Sequence, residues 1–187
     1  MSRICNTSSK VELTDVYDSN KKRTGVIIPR SEWKNEGFRL VVQMCIFSKD
    51  RLLIQKRCMS KKSFPGAWDI SAAGQVDAGE ESHEGASREV CEELGLEYIL
   101  TEKDLFVTLR LPHVFNDIYI IEYDGSEITI QESEVDDFGW VTEEEVLNMI
   151  DDGRFIPYKP ELIRSIFEAH KKGIRNAPDM CMETSYI

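Results

Sequence analysis

The sequence predicts an α/β (α+β) fold in which one mixed β-sheet carries a small number of helices. Many short strand-like segments outnumber three helical ones, and the two kinds follow each other in irregular order. The chain has 187 residues, 41% of them hydrophobic, which suits one packed domain with appendages. Gly and Pro are sparse, at 11 and 6, so a continuous core is possible.

The elements follow in order. Val11 to Tyr17 and Thr24 to Pro29 read as strands around the turn-like Asp18–Lys22 segment. Phe38 to Phe47 is rich in Val, Ile and Leu and reads as a buried strand. Ser48, Lys49 and Asp50 turn the chain into a returning strand, Arg51 to Arg57. Phe64 to Ala67 is a loop, followed by a short strand from Trp68 to Ser71. Glu81 to Leu94 is the clearest helix, because Ala86, Val90, Cys91 and Leu94 share one apolar stripe. Gly95 stands where a left-handed cap would end it. Asp104 to Arg110, Phe115 to Tyr123 and Phe138 to Val141 read as strands. Thr142 and Glu145 form a capping box that opens a helix, and the acids Glu143, Glu144 and Glu145 suit the positive end of its dipole. Glu161 to Lys172 is a last amphipathic helix, and residues from Gly173 onward read as a loosely held tail.

The charge balance narrows the function. With 34 Asp plus Glu against 23 Lys plus Arg, the formal charge is -11. A phosphate backbone is repelled by such an excess, so DNA or RNA binding is not expected. A small phosphorylated ligand remains compatible, since a bound cation or a local basic cluster reverses the potential in one cleft. The five cysteines, Cys5, Cys45, Cys58, Cys91 and Cys181, contain no C-x-x-C pair and are odd in number, which argues against a zinc site or disulfide framework. Cys45, Cys58 and Cys91 read as small buried residues. No secretory signal and no membrane-spanning run is visible, so a cytoplasmic protein that keeps off membranes is expected.

The chemistry is concentrated between Gly74 and Leu96. Glu89, Glu92 and Glu93 stand at i, i+3 and i+4, so three carboxylates leave the helix on one face. Hard oxygen ligands at that spacing suit Mg²⁺. Arg88 is placed to pair with an acid and limit their repulsion. The whole segment fits G-x5-E-x7-R-E-U-x-E-E-x-G-U, with U aliphatic, at every fixed position: Gly74, Glu80, Arg88, Glu89, Val90, Glu92, Glu93, Gly95 and Leu96. Background residue usage makes a chance match on the order of one in ten million.

This segment resembles the signature of the Nudix hydrolases, and the resemblance extends over roughly residues 36 to 167. It implies an α/β/α sandwich around a mixed sheet, with a loop–helix–loop metal site. It implies Glu89, Glu92, Glu93 and the Gly74 carbonyl as ligands of Mg²⁺, with Mn²⁺ as a substitute, and Glu80 and Arg88 as residues that position the acids. The implied reaction is water attack on phosphorus in a nucleoside diphosphate derivative or related diphosphate. A glutamate serves as general base, either one of the box acids or Glu134 in the acidic stretch before Trp140.

A narrower resemblance points to isopentenyl-diphosphate isomerase, which shares the fold. It rests on Arg57 and on the stretch from Ser60 through Lys61, Phe64, Pro65 and Gly66 to Trp68. It implies Arg57 and Lys61 as diphosphate-binding cations. Phe64 and Trp68 are candidates to stack on a base or cover an isoprenoid chain. The isomerase chemistry itself is missing: its catalytic Cys is here Ala73, the following His is Gln75, and its later Glu motif falls near Asn116 and Asp117. The only histidines are His83, His113 and His170. The resulting expectation is a pyrophosphohydrolase, with an isomerase-like enzyme or a non-catalytic ligand-sensing module as alternatives. Residues 1–35 are expected to form a β extension that covers the site or a homodimer interface, 36–172 the Nudix domain, and 173–187 the tail.

Overall fold

The computed structural model describes residues 11–175 and the backbone of 182–183. Residues 1–10 of the extension and most of the tail, with Cys5 and Cys181, lie outside the described residues. Ten strands and three α-helices are found among the rest.

β1 (Leu13–Tyr17) and β2 (Arg23–Pro29) form a separate antiparallel hairpin. The main sheet is built on β3 (Arg39–Ser48), which runs parallel to β8 (Val114–Glu122) on one side. On its other side it pairs with β4 (Arg51–Arg57) only at the hairpin end, through Phe47 with Leu52 and Ser48 with Arg51. Beyond that the two strands part. β3 continues with β6 (Ala72–Gln75), whereas β4 continues with β5 (Trp68–Ile70) and β9 (Val135–Val141). Ser71, which is fully buried, bridges the parting: its hydroxyl accepts from the Ile46 amide at 2.8 Å and donates to the Leu53 carbonyl at 2.7 Å. A hydroxyl there satisfies two backbone groups that the divergence would orphan.

β7 (Leu105–Leu111) pairs antiparallel with β8, and β10 (Met182–Glu183) adds in parallel to the outer edge of β7. Two residues of the expected loose tail therefore join the sheet. A main-chain ladder requires no side-chain pattern, so so short a strand has no readable period.

The helices sit on opposite faces. α1 (Ser82–Leu94) packs Ala86, Val90 and Leu94 against Val42, Met44, Ile46 and Leu53. α2 (Glu143–Asp151) and α3 (Pro160–Lys172) close the other face over Cys45, Phe47, Leu52 and Ile118. The result is the expected α/β/α sandwich with a mixed sheet. Gly95 ends α1 at φ 68°, and Thr142 and Glu145 form the reciprocal cap of α2. Two strands differ from expectation. β6 carries Ala, Ala, Gly and Gln, which have little strand preference, and it forms because β3 offers it a free edge. β9 begins at Val135 rather than Phe138 because Arg57 pairs with Val135 across a bulge. Cys45 is buried as expected, but Cys58 and Cys91 are only half-buried, since Cys58 falls on a loop and Cys91 at the edge of the apolar stripe.

The β1–β2 hairpin is held down by a buried clasp. Asp117, 0% exposed, accepts from Lys21 Nζ at 2.5 and 2.7 Å, Thr108 at 2.6 Å and Ser82 at 2.5 Å. Lys21 comes from the hairpin turn, so one carboxylate joins the extension, β7 and the start of α1. Replacing Lys21 by Met leaves that charge with only hydroxyl donors. Lys21 retains some solvent contact, so the expected loss is about 1–3 kcal/mol, measured as a lower urea midpoint at unchanged slope. An unchanged midpoint would show that the clasp contributes nothing.

Candidate active site

The apolar stripe of α1 fixes its rotation, and that rotation presses Glu89 and Glu93 against β6. Glu89 is 8% exposed and Glu93 6%, while Glu92 stays partly in solvent. Gly74 makes room for this: a Cβ at that position would fall on the carboxyl carbon of Glu89. Glycine is therefore required by close approach of the carboxylate, at a backbone conformation any residue could adopt.

Arg88 ties the acids together. Its Nη1 donates to Glu89 at 2.7 Å and Glu92 at 3.2 Å, its Nε to Glu80 at 3.0 Å, and its Nη2 to Glu80 at 3.1 Å and the Gln75 carbonyl at 3.0 Å. Burial pushes the Glu80 carboxyl up, but the hydrogen bonds and charge of Arg88 outweigh it and hold that carboxyl below its ordinary value. Glu89 and Glu93 behave oppositely. Burial raises Glu89 in spite of Arg88. Burial and the neighbouring charge of Glu89 push Glu93 up to about 8. Glu93 accepts from Gln55 Nε2 at 2.9 Å and the Ala73 amide at 3.2 Å, both neutral donors.

Two loops complete the site. The loop after β8 docks on the end of α1, where the Thr129 and Gln131 amides donate to the carbonyls of Leu94 and Glu93 at 2.9 and 3.0 Å. These bonds satisfy helix-end acceptors, and they deliver Glu134 beside the acids. The loop after β4 is joined to it by the Cys58 amide, which donates to the Glu134 carbonyl at 2.9 Å. Lys61 on that loop forms an ion pair with Glu134. The candidate base and the candidate diphosphate cation thus hold each other.

A cleft of about 860 Å³ opens here. Gly74, Arg88, Glu89, Glu92, Glu93, Lys61 and Glu134 line it, and the extension adds Leu13 and Arg30. The remaining candidates lie elsewhere. Glu80 stands behind Arg88. Arg57 is turned onto its own loop, donating to the Ser63 carbonyl at 3.1 and 3.2 Å and to the buried Asp69 at 3.4 Å. Burial raises the Asp69 carboxyl, which also accepts from Tyr158 at 2.7 Å. Trp68 packs into the core under α2 and α3, and its backbone pairs with Phe155. Phe64 is 40% exposed at the loop tip with φ 48° and is not among the residues lining the cleft. The structure therefore does not bring Arg57, Phe64 and Trp68 to the cleft. The turn between β4 and β5 points them away, a consequence of tertiary packing that local sequence does not encode.

Gln55 and Arg30 were not foreseen. Gln55 follows the apolar run Leu52–Ile54 and precedes Lys56 and Arg57, so it reads as the polar end of β4, whereas packing buries it at 2% exposure. Arg30 donates to the Gln75 carbonyl at 2.6 Å and to Asp77 at 2.8 Å from a segment 45 residues away, with no local signal. The positions where the isomerase pattern places acids are occupied otherwise: Asn116 donates to Gln43 at 2.7 Å, and Asp117 is held in the clasp.

The donor set suits a hard divalent cation. Three carboxylates and a carbonyl supply only oxygen, and two of the acids are buried with raised pKa values that a dication would lower. Among the described residues no three acids already converge on one point, because Arg88 occupies Glu89 and Glu92.

The chain is similar in sequence and fold to known proteins. Residues 37–161 match the model of the NUDIX domain. An uncharacterised Nudix hydrolase of Listeria monocytogenes is 39% identical over 152 residues, covering 79% of this chain and 90% of the relative. Nudix hydrolase 3 of Arabidopsis thaliana is 34% identical over 77% of this chain and 21% of the plant protein. A crystal structure from Deinococcus radiodurans superposes with TM-score 0.68 at 26% identity, covering 83% of this chain and 99% of that one. With its box intact, its sandwich formed and its matched region spanning most of its length, this chain belongs to the Nudix family of hydrolases.

Proposed function

We propose that the protein is a Mg²⁺-dependent pyrophosphohydrolase that cleaves a phosphoanhydride bond in a nucleoside diphosphate derivative or related diphosphate. The observation that supports this most directly is the convergence of Glu89, Glu92, Glu93, Lys61 and Glu134 on one cleft. Glu89, Glu92, Glu93 and the Gly74 carbonyl would hold the metal. When bound, Mg²⁺ or Mn²⁺ lowers the pKa of water and offsets charge on the diphosphate oxygens.

The protein's own residues divide the remaining work. Lys61 binds the diphosphate as a point charge. In doing so it exchanges Glu134 for the substrate, which frees that carboxylate to accept a proton from water. Water oxygen attacks phosphorus, the bridging P–O bond breaks, and the bond electrons leave with the departing phosphate. Arg88 keeps the acids in register, and Glu80 holds Arg88. The extension walls one side of the cleft through Leu13 and Arg30. An isomerase role is not favoured, because Ala73 offers no thiol.

A phosphate-release screen with Mg²⁺ across nucleoside di- and triphosphates, nucleotide sugars, dinucleoside polyphosphates and prenyl diphosphates tests the reading. Glu92→Gln or Glu93→Gln should lower turnover by about 10²–10⁴-fold with the fold intact. Turnover that is unchanged in both variants would refute the assignment.

Gly74→Ala gives an independent check. The added methyl must displace the Glu89 carboxylate, so activity should fall by about 10²-fold or more. The overpacking should also cost about 1–3 kcal/mol of stability. A fully active variant would mean that Glu89 need not sit against the Gly74 backbone.

A further inference from the structure

The sheet face turned away from α1 carries two side-chain donors that the reaction described above does not use, Arg39 and Gln75, and Arg30 of the extension reaches the edge of β6 beside them. Register places the first two. Val41 lies opposite Gln75 in the β3–β6 ladder and beside Asn116 in the β3–β8 ladder. Arg39, two residues before Val41, therefore shares the face of Gln75 as its diagonal neighbour, roughly 7 Å away between backbones.

Arg39 is half-buried, and among the described residues its guanidinium makes no ion pair or hydrogen bond. Burial lowers its pKa, and so does the charge of Arg30, a second cation rather than a partner. Nε of Arg39, Nε of Arg30 and Nε2 of Gln75 are each buried without an acceptor. Arg30 and Gln75 also line the cleft that holds the box acids. A protein with a formal charge of -11 has carboxylates to spare, yet leaves this arginine unpaired. Arg30 is paired with Glu12 at 3.1 Å and Asp77 at 2.8 Å, which leaves only its Nε, whereas Arg39 has no counter-charge among the described residues. Three buried donor nitrogens with no acceptor, one of them on an unpaired guanidinium, form an environment that an oxyanion would complete.

We propose that Arg39, with Gln75 and Arg30, forms a subsite for an oxyanion, a phosphate or carboxylate, carried by the substrate outside the diphosphate that is cleaved. The subsite gives the enzyme a preference for diphosphates whose second half bears an additional negative group. Arg39 supplies the forked donor, Gln75 Nε2 a neutral one, and Arg30 a donor from the extension. The assignment to a substrate rests on the hydrolase reading; the anion site itself does not.

The test has two arms on the full-length protein. In the first, inorganic phosphate is titrated calorimetrically in EDTA, so that no metal at the box acids can bind it. Arg39→Met should weaken phosphate binding at least about tenfold. Arg39→Lys should weaken it less, and Arg164→Met, on the exposed side of α3, should leave it unchanged. Because Arg39 is half-buried and unpaired, Arg39→Met should also melt at the same temperature as the parent or higher, whereas loss of a purely structural arginine would lower it. Phosphate binding that survives Arg39→Met, or that the parent lacks at millimolar concentration, overturns the subsite.

In the second arm, hydrolysis with Mg²⁺ is compared within matched pairs: coenzyme A with its dephospho form, NADPH with NADH, and UDP-glucuronate with UDP-glucose. At least one pair should favour the more anionic member in kcat/KM by about tenfold or more, and Arg39→Met should collapse that ratio while sparing the neutral partner. Phosphate binding lost in Arg39→Met without any pair preference overturns the assignment to a substrate-borne group. No hydrolysis of these pairs or of any compound in the wider Mg²⁺ screen, with phosphate binding still dependent on Arg39, refutes the hydrolase reading and leaves the anion site standing.

Discussion

Two carboxylates buried side by side are the constraint on which this structure depends. Glu89 and Glu93 lie on the core-facing side of α1, and each is raised by burial. An uncompensated carboxylate in such a place is costly enough to unfold a marginal domain. The surroundings limit that cost in three ways. Arg88 reaches Glu80, Glu89, Glu92 and the Gln75 carbonyl with one rigid fork. Gln55 and the Ala73 amide hydrogen-bond Glu93 without neutralising it. Gly74 withdraws its side chain so that the Glu89 carboxylate can lie against the sheet. A pair of buried oxygen donors held in this way suits a dication.

The fold supplies the positions for this arrangement by parting β3 from β4. Had the two strands stayed paired, β6 would have had no edge to join, and Gly74 could not face α1. Ser71 holds the parting open by bonding to both strands. The extension then braces the far side of the box loop. The Ala78 amide donates to the Leu13 carbonyl at 3.0 Å, and the Gly79 amide to Asp15 at 2.8 Å. The clasp at Asp117 anchors the same hairpin to the start of α1. A segment outside the signature thus shapes both the box loop and one wall of the cleft.

Lys61 and Glu134 share the cleft with the acids of α1, and Arg30 reaches its edge at the Gln75 carbonyl. Arg39 lies beyond it, on the face of the β3–β6 ladder turned away from α1. A ligand that bridges the two regions would place a metal-bound diphosphate at the acids and a further anion near the arginines. The Lys61–Glu134 pair compensates one charge of each kind, whereas among the described residues Arg39 has nothing to compensate it. Among the described residues, no helix is long and apolar enough to cross a membrane.

Local chemistry made much of this legible in the sequence. The period of Ala86, Val90 and Leu94 set the face of α1, the i, i+3, i+4 spacing set the three acids on it, and Gly95 and Thr142 set helix ends. These features depend on residues within a turn or two of each other, where helix geometry fixes the outcome. The roles of Gln55, Arg30 and Arg39, and the withdrawal of Arg57 and Trp68 from the cleft, were decided only by tertiary structure. Each depends on which strand lies beside which, and strand neighbours are chosen by edge pairing and core packing over long sequence separations. The segment from Gly74 to Leu96 therefore determined the three acids on one helix face by itself. Burial against β6, bracing by the extension and the unpaired arginine beyond it arise only once the sheet has assembled around that segment.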